Sequence, residues 1–253
     1  MKVLQIVGAY GRRHEKILEE TLRLYAGFKG YEIETVIMTT EDLKIDAKYE
    51  ERRFDPSLRH MFLWKWQQVV REFEMRDFDM LLFAEDDMRL TEDNLDYYVE
   101  HSRLLDRIPF MAGFLRYEEW DGNRYLVDIS KYSWVMGEPV TVNGVRYWAA
   151  HSRKRLVPNT HQGVFLLTRD QFCGLLDKGR LYAKPEQYRG GDRRPLGDRE
   201  CATNWIWKLN YRKVIALDDL DRAFILHCEH CQTAQMEGRP IGPEMEAFKR
   251  EVR

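Results

Sequence analysis

Cysteine is scarce. Four thiols in 253 residues, Cys173, Cys201, Cys228 and Cys231, do not make the disulfide framework of a small secreted scaffold, and a chain of this length buries a core without such staples. No apolar run approaches the roughly 18 to 20 residues of a membrane-spanning helix. Excess charge of one sign is missing too: 40 Lys and Arg against 42 Asp and Glu leave a net charge of -2. No global positive field exists to hold a phosphate backbone, so nucleic acid is not an expected partner. Glycine and proline are too few for collagen-like or low-complexity sequence, and 44% hydrophobic with 13% aromatic residues is the composition of a folded globular protein. Met1 leads directly into the strand-like run Lys2-Val3-Leu4-Gln5-Ile6-Val7, without a signal-peptide core or cleavage site, and a cytoplasmic location is the expectation.

The first half alternates strand and helix. Val3 to Ala9 is an apolar run, and His14 to Phe28 carries Ile17, Leu18, Leu22 and Tyr25 at helical spacing. Gly30 is a stop, and Tyr31 to Met38 reads as a second strand. Asp55-Pro56-Ser57 opens a long helix through Trp64, Trp66, Val69, Val70 and Phe73, and Asp79 to Ala84 is a buried-looking strand. Such alternation predicts a mostly parallel sheet covered by helices. After Asp87 the pattern changes. Thr91 opens a helix running to Leu105, and Asp121-Gly122-Asn123 and Asn143-Gly144 each sit between β-forming runs as hairpin turns. His161 to Thr168, Lys213 to Leu217 and Ala223 to Leu226 read as strands, and Asp170 to Leu176 and Glu200 to Leu209 as helices. Residues 1–231 are expected to form one α/β domain, a Rossmann-like mostly parallel sheet with a smaller antiparallel sheet. Residues 232–253, rich in Gly and Pro, are expected to be a polar tail or lid.

Glu85-Asp86-Asp87 follows directly on the apolar strand Leu81-Leu82-Phe83-Ala84. Ligands bind at the carboxyl ends of strands in open parallel sheets. Carboxylates there suit a hard divalent ion, Mg²⁺ or Mn²⁺, which bridges the phosphates of a nucleotide. Without a ligand the triplet is an acidic turn capping the next helix.

Strand, Glu-Asp-Asp and Thr-led helix together resemble the metal-binding motif of GT-A-fold glycosyltransferases, in particular the Glu-Asp-Asp variant of the Golgi N-acetylglucosaminyltransferase I type. Val3 to Arg13 with the following helix resembles the first β-α unit of that fold, and the resemblance implies that the turn at Ala9, Tyr10 and Arg12 contacts base and ribose. It further implies that Asp87 and His227, the residue ending the strand Arg222 to Leu226, hold the metal while Glu85 and Asp86 position ribose or sugar. A neutral imidazole beside carboxylates favours Mn²⁺ over Mg²⁺. Gly163 to Phe172 is similar to the acceptor-side strand and helix, and Gly197-Asp198-Arg199-Glu200 to the acidic motif that carries the catalytic base of inverting members. Glu200 is the first choice of base, because the 14 positions from it to Val214 of the next strand are close to the interval this fold often shows, and Asp198 is the second; Arg199 separates acids that are usually adjacent, which keeps both open. The implied reaction moves a sugar from a nucleoside-diphosphate sugar, UDP favoured, to a hydroxyl on a glycan, lipid-linked or small-molecule acceptor.

Two further segments invite other readings. Arg193, in the basic run Arg189 to Arg194, suits a loop ordering over a diphosphate, or a solvated surface loop. His227-Cys228-Glu229-His230-Cys231 contains half of a zinc site, but no second Cys-x-x-Cys exists, and thiols beside a useful His are the preferred reading. A non-catalytic nucleotide- or glycan-binding module on the same fold is the alternative to an enzyme.

Overall fold

A computed structural model of the chain describes residues 1–127, 135–152, 163–177, 212–228 and 242–252. They fall into two compact units, one of residues 1–87 and 163–177, the other of 88–127, 135–152, 212–228 and 242–252. In chain order the strands are β1 (Lys2–Ala9), β2 (Glu32–Thr39), β3 (Glu50–Arg53), β4 (Met80–Glu85), β5 (Met88–Arg89), β6 (Phe110–Ala112), β7 (Leu115–Trp120), β8 (Asn123–Leu126), β9 (Val135–Val142), β10 (Val145–Ser152), β11 (Val164–Thr168), β12 (Arg212–Ala216) and β13 (Phe224–His227). Among the described residues the α-helices are α1 (Glu15–Tyr25), α2 (Trp66–Phe73), α3 (Glu92–Leu104), α4 (Arg169–Asp177) and α5 (Met245–Val252). No helix among the described residues is long and apolar enough to cross a membrane.

The first unit is a five-stranded sheet ordered β11-β4-β1-β2-β3, parallel except for β11 against β4. Register explains its apolar strands. Ile6 pairs with Val36 and with Phe83, and Phe83 pairs with Phe165, so these side chains share one face. Trp66 of α2 packs on that face, 5.1 Å from the Phe165 ring edge-on, while Phe83 and Phe165 stack at 5.2 Å. One residue along, Val7 pairs with Ile37 on the opposite face, where Leu18 and Leu22 of α1 cover them. Because both faces are covered, the strands are apolar throughout instead of alternating.

Two local features depart from the sequence reading. Pro56–Lys65, expected as the first half of a long α-helix, is a 3-10 helix, and the α-helix starts only at Trp66. Edge strand β3 is Glu-Glu-Arg-Arg, which lacks any strand pattern; its charges pair outward, Arg52 with Glu72 and Arg53 with Asp42, and protect an open edge.

The second unit contains two four-stranded sheets, β6-β12-β10-β9 and β5-β13-β7-β8. Both expected hairpins are present. Asp121 and Gly122 have φ 48° and 75°, Asn143 and Gly144 φ 51° and 81°, as two-residue turns with left-handed central positions require. Thr91 caps α3, accepting from the Asn94 amide while the Asn94 side chain accepts from the Thr91 amide. Within the segment expected as a tail or lid, residues 245–252 form α5, with Met245 and Phe248 buried and the Phe248 ring 5.8 Å from that of Trp148.

A buried polar chain runs through this unit. His101 Nδ1 lies 2.9 Å from the Tyr147 hydroxyl and Nε2 3.2 Å from Asp219, whose carboxylate also meets Arg222 at 2.9 Å. Burial pulls the His101 imidazole below its ordinary pKa, against the opposing pull of Asp219, and pushes the Tyr147 phenol up to about 12. For a histidine with a folded-state pKa below its unfolded value, stabilisation is complete above the unfolded value of about 6.5 and is lost as pH falls through the folded one. Thermal melts from pH 7 down to 5 are therefore expected to show falling Tm, with a shallower fall in His101→Gln. An equal slope in the variant places the acid sensitivity elsewhere.

Candidate metal centre

Parallel strands β1 to β4 all finish at one edge of the five-stranded sheet. The chain steps from β1 outward through β2 to β3, then returns to place β4 on the other side of β1. At such a reversal the turns leaving the two central strands diverge and open a crevice beyond their carboxyl ends. Here β1 runs into the turn ending at His14, and β4 runs into Asp86 and Asp87.

The two turns touch. His14 is the N-cap of α1, a position where a side chain ordinarily accepts a hydrogen bond from the first helical turn, yet its ring makes no such bond. It reaches across instead, Nδ1 lying 2.9 Å from Oδ1 of Asp86, with the side chains 12% and 8% exposed. One ligand atom from each of His14, Asp86 and Asp87 can be chosen so that all lie within 4.8 Å of one another. Burial raises the pKa of the Asp86 carboxyl, and the adjacent Asp87 charge raises it further, while the hydrogen bond from His14 opposes both. Two neighbouring buried carboxylates are thus held apart from their preferred solvation, and a cation relieves that cost. Two carboxylates and one imidazole are donors that fit a first-row divalent ion.

Of the residues expected from sequence, the structure brings Asp86 and Asp87 together and adds His14. Glu85 ends β4; its amide donates to the Gly163 carbonyl at 2.7 Å, and its Oε1 is buried. Ala9 is buried against Leu18 and Leu22, whereas Tyr10 is 44% exposed at the start of the turn. The Arg12 guanidinium is engaged locally, its Nε and Nη2 donating to the two carboxylate oxygens of Glu15 at 2.8 and 3.0 Å. Asp198, Glu200 and Arg193 lie outside the described residues, as do Cys201 and Cys231. Cys173 and Cys228 are half-buried and form no disulfide among the described residues.

His227 belongs to the second unit. Parallel pairing of β13 with β7 sets Leu226 beside Tyr117, so the next residues along are His227 and Glu118. His227 Nδ1 lies 2.6 Å from Glu118 Oε1, with both side chains buried. A carboxylate on Nδ1 fixes the tautomer of the imidazole. Sequence reasoning missed Glu118, because Leu-Arg-Tyr-Glu-Glu-Trp gives no sign of which acid points inward. Glu118→Ala removes a hydrogen bond between a carboxylate and a buried ring and is expected to cost about 2 kcal/mol, read as a lowered denaturation midpoint; Glu118→Gln, which still accepts, should recover most of it.

No protein-family model matches the chain, and a search of curated proteins returns no match. Among solved structures, the chain is similar to the crystal structure of a glycosyltransferase involved in the glycosylation of the major capsid of PBCV-1, at 10% identity and a TM-score of 0.42 over 88% of this chain and 93% of that one.

Proposed function

We propose that the chain is a divalent-cation-dependent glycosyltransferase that moves a sugar from a nucleoside-diphosphate sugar to a hydroxyl acceptor. The observation that carries this reading is the convergence of His14, Asp86 and Asp87 at the strand-order reversal of the first unit. Asp87 is the principal carboxylate ligand in this proposal, with Asp86 and His14 beside it. When bound, the ion supplies positive charge that stabilises the diphosphate leaving group. In this proposal Tyr10 and the backbone at Ala9, at the end of β1, meet base and ribose with Arg12 beside them, and Glu85 and Asp86 orient the ribose or sugar. Arg193 is assigned to the diphosphate as a bidentate donor. Glu200, or Asp198 in second place, accepts the proton of the acceptor hydroxyl as its oxygen bonds to the anomeric carbon and the bond from that carbon to the phosphate oxygen breaks. One such in-line displacement inverts the anomeric configuration.

UDP and Mn²⁺ are the first choices of nucleotide and metal. Calorimetric titration of UDP in Mn²⁺ and in EDTA tests the reading, with GDP as comparison. About tenfold or more tighter binding in Mn²⁺ is expected, equivalent to about 1.4 kcal/mol. Equal affinity in the two buffers removes the ion from the reading. The assignment of His227 to the same ion rests on sequence, and His227→Ala in the same titration tests it. A donor-hydrolysis screen across UDP- and GDP-sugars separates enzyme from binding module.

A further inference from the structure

Resting on the proposed ion site, we infer that His14 sets its metal preference, selecting Mn²⁺ and the later first-row transition ions over Mg²⁺ and Ca²⁺. Asp86 and Asp87 alone offer only oxygen. An all-oxygen site suits Mg²⁺, Ca²⁺ and Mn²⁺ alike, and selects among them by size and rigidity. Mg²⁺ gives up its water reluctantly and takes oxygen ligands in near-ideal octahedral geometry. A nitrogen donor changes the balance, since imidazole favours the ions that rise along the order Mn²⁺, Fe²⁺, Co²⁺, Ni²⁺.

The structure gives His14 the features of such a donor. Its ring is largely buried, forgoes the capping role of its position, and contacts a residue 72 positions away in sequence. Nδ1 lies 2.9 Å from Asp86 Oδ1, close enough for the two atoms to be neighbouring donors to one ion once the hydrogen between them is displaced. Asp86 is then the oxygen donor beside His14 on the same ion. The imidazole comes from the β1–α1 turn and the carboxylates from the end of β4, so the ion also ties the two turns together.

The test is metal binding by the whole chain, read without turnover. Free Mn²⁺ is followed by its EPR signal, and Mg²⁺ and Co²⁺ are titrated in as competitors, for wild type, His14→Asn and His14→Asp. Wild type is expected to prefer Mn²⁺ to Mg²⁺ by about tenfold or more, and His14→Asn to lose about 10- to 100-fold in Mn²⁺ affinity with Mg²⁺ changed far less. His14→Asp, which restores three oxygen donors, is expected to bind Mg²⁺ better than His14→Asn does. A spin-echo measurement of the Mn²⁺ complex adds a readout that needs no variant to compare: coupling to a directly bound imidazole ¹⁴N is expected in wild type, and its absence overturns the inference. Coupling that persists in His14→Asn with an unchanged Mn²⁺ to Mg²⁺ ratio also overturns it, while leaving the ion site intact. Wild type that retains neither ion overturns the site together with the inference.

Discussion

Asp87→Asn is expected to lower Mn²⁺ affinity by at least about 10²-fold and to bring the UDP affinity measured in Mn²⁺ down to its value in EDTA. Loss of a partner that merely orients a metal ligand typically costs 10- to 100-fold, and loss of a charged ligand costs no less. The carboxamide keeps the shape of the buried side chain, so packing is preserved. Stability of the ion-free protein should not fall. The Asp87 charge is one of the influences that push the Asp86 carboxyl upward, and its removal relieves repulsion between adjoining buried acids. The informative pattern is therefore a lost ion with an unchanged or raised Tm. Retained Mn²⁺ affinity in a folded Asp87→Asn protein would assign the carboxylates to the turn alone, as caps without a ligand.

Glu200→Gln carries the second large effect. Gly197-Asp198-Arg199 leads into Glu200 to Leu209, whose pattern predicts a helix, so Glu200 is expected in a first turn, where the helix dipole favours an ionised carboxylate. A carboxylate at such a position is expected to take a proton from an acceptor hydroxyl. Sugar transfer is expected to fall by roughly 10²-fold or more, while UDP affinity and Tm barely change. An ordinary first-turn Glu contributes about 0.3 to 1 kcal/mol to its helix and nothing to the reaction, so the separation of rate from stability is what decides the matter. Asp198→Asn should have the smaller effect. The reverse ranking moves the base by one acid, and no effect from either variant removes the inverting mechanism.

Much of the first unit was legible because burial on both faces writes itself into composition: Lys2–Ala9, Met80–Glu85 and Val164–Thr168 are apolar runs that hardly permit another reading. Turn chemistry marked the hairpins, since Asp-Gly and Asn-Gly supply the left-handed backbone that two-residue turns need. Edge strand β3 was not legible, because an edge protected by charge looks like a loop. Helix α5 was hidden for a related reason: Met245 and Phe248, three residues apart, are its buried residues, and Gly and Pro precede it.

The site divides along the same line. Asp86 and Asp87 stood out because a strand points at them. His14 did not, since a histidine at the start of a helix has no local signature, and its partnership with Asp86 depends on β1 lying beside β4, a long-range pairing that no window of sequence contains. Adjacency of those strands, once suspected from the alternation, is the signal that directs attention to the turn after β1. Glu118 beside His227 has the same origin in a parallel pairing between distant strands.

Chain order within the first unit also shapes how it is made. Strand β4 needs β1 on one side and β11 on the other, yet β11 follows it by roughly 80 residues, so on a ribosome adding about 5 to 20 residues per second the second neighbour arrives some 4 to 16 s late. During that interval Met80–Glu85, whose side chains are almost all buried in the finished sheet, presents an open row of backbone donors and acceptors beside an apolar face. The nascent chain is then a ready substrate for chaperones and for pairing with its own copies. A fragment ending near Asp87 would keep that edge open permanently, so completion of the sheet depends on a strand translated long after the other four.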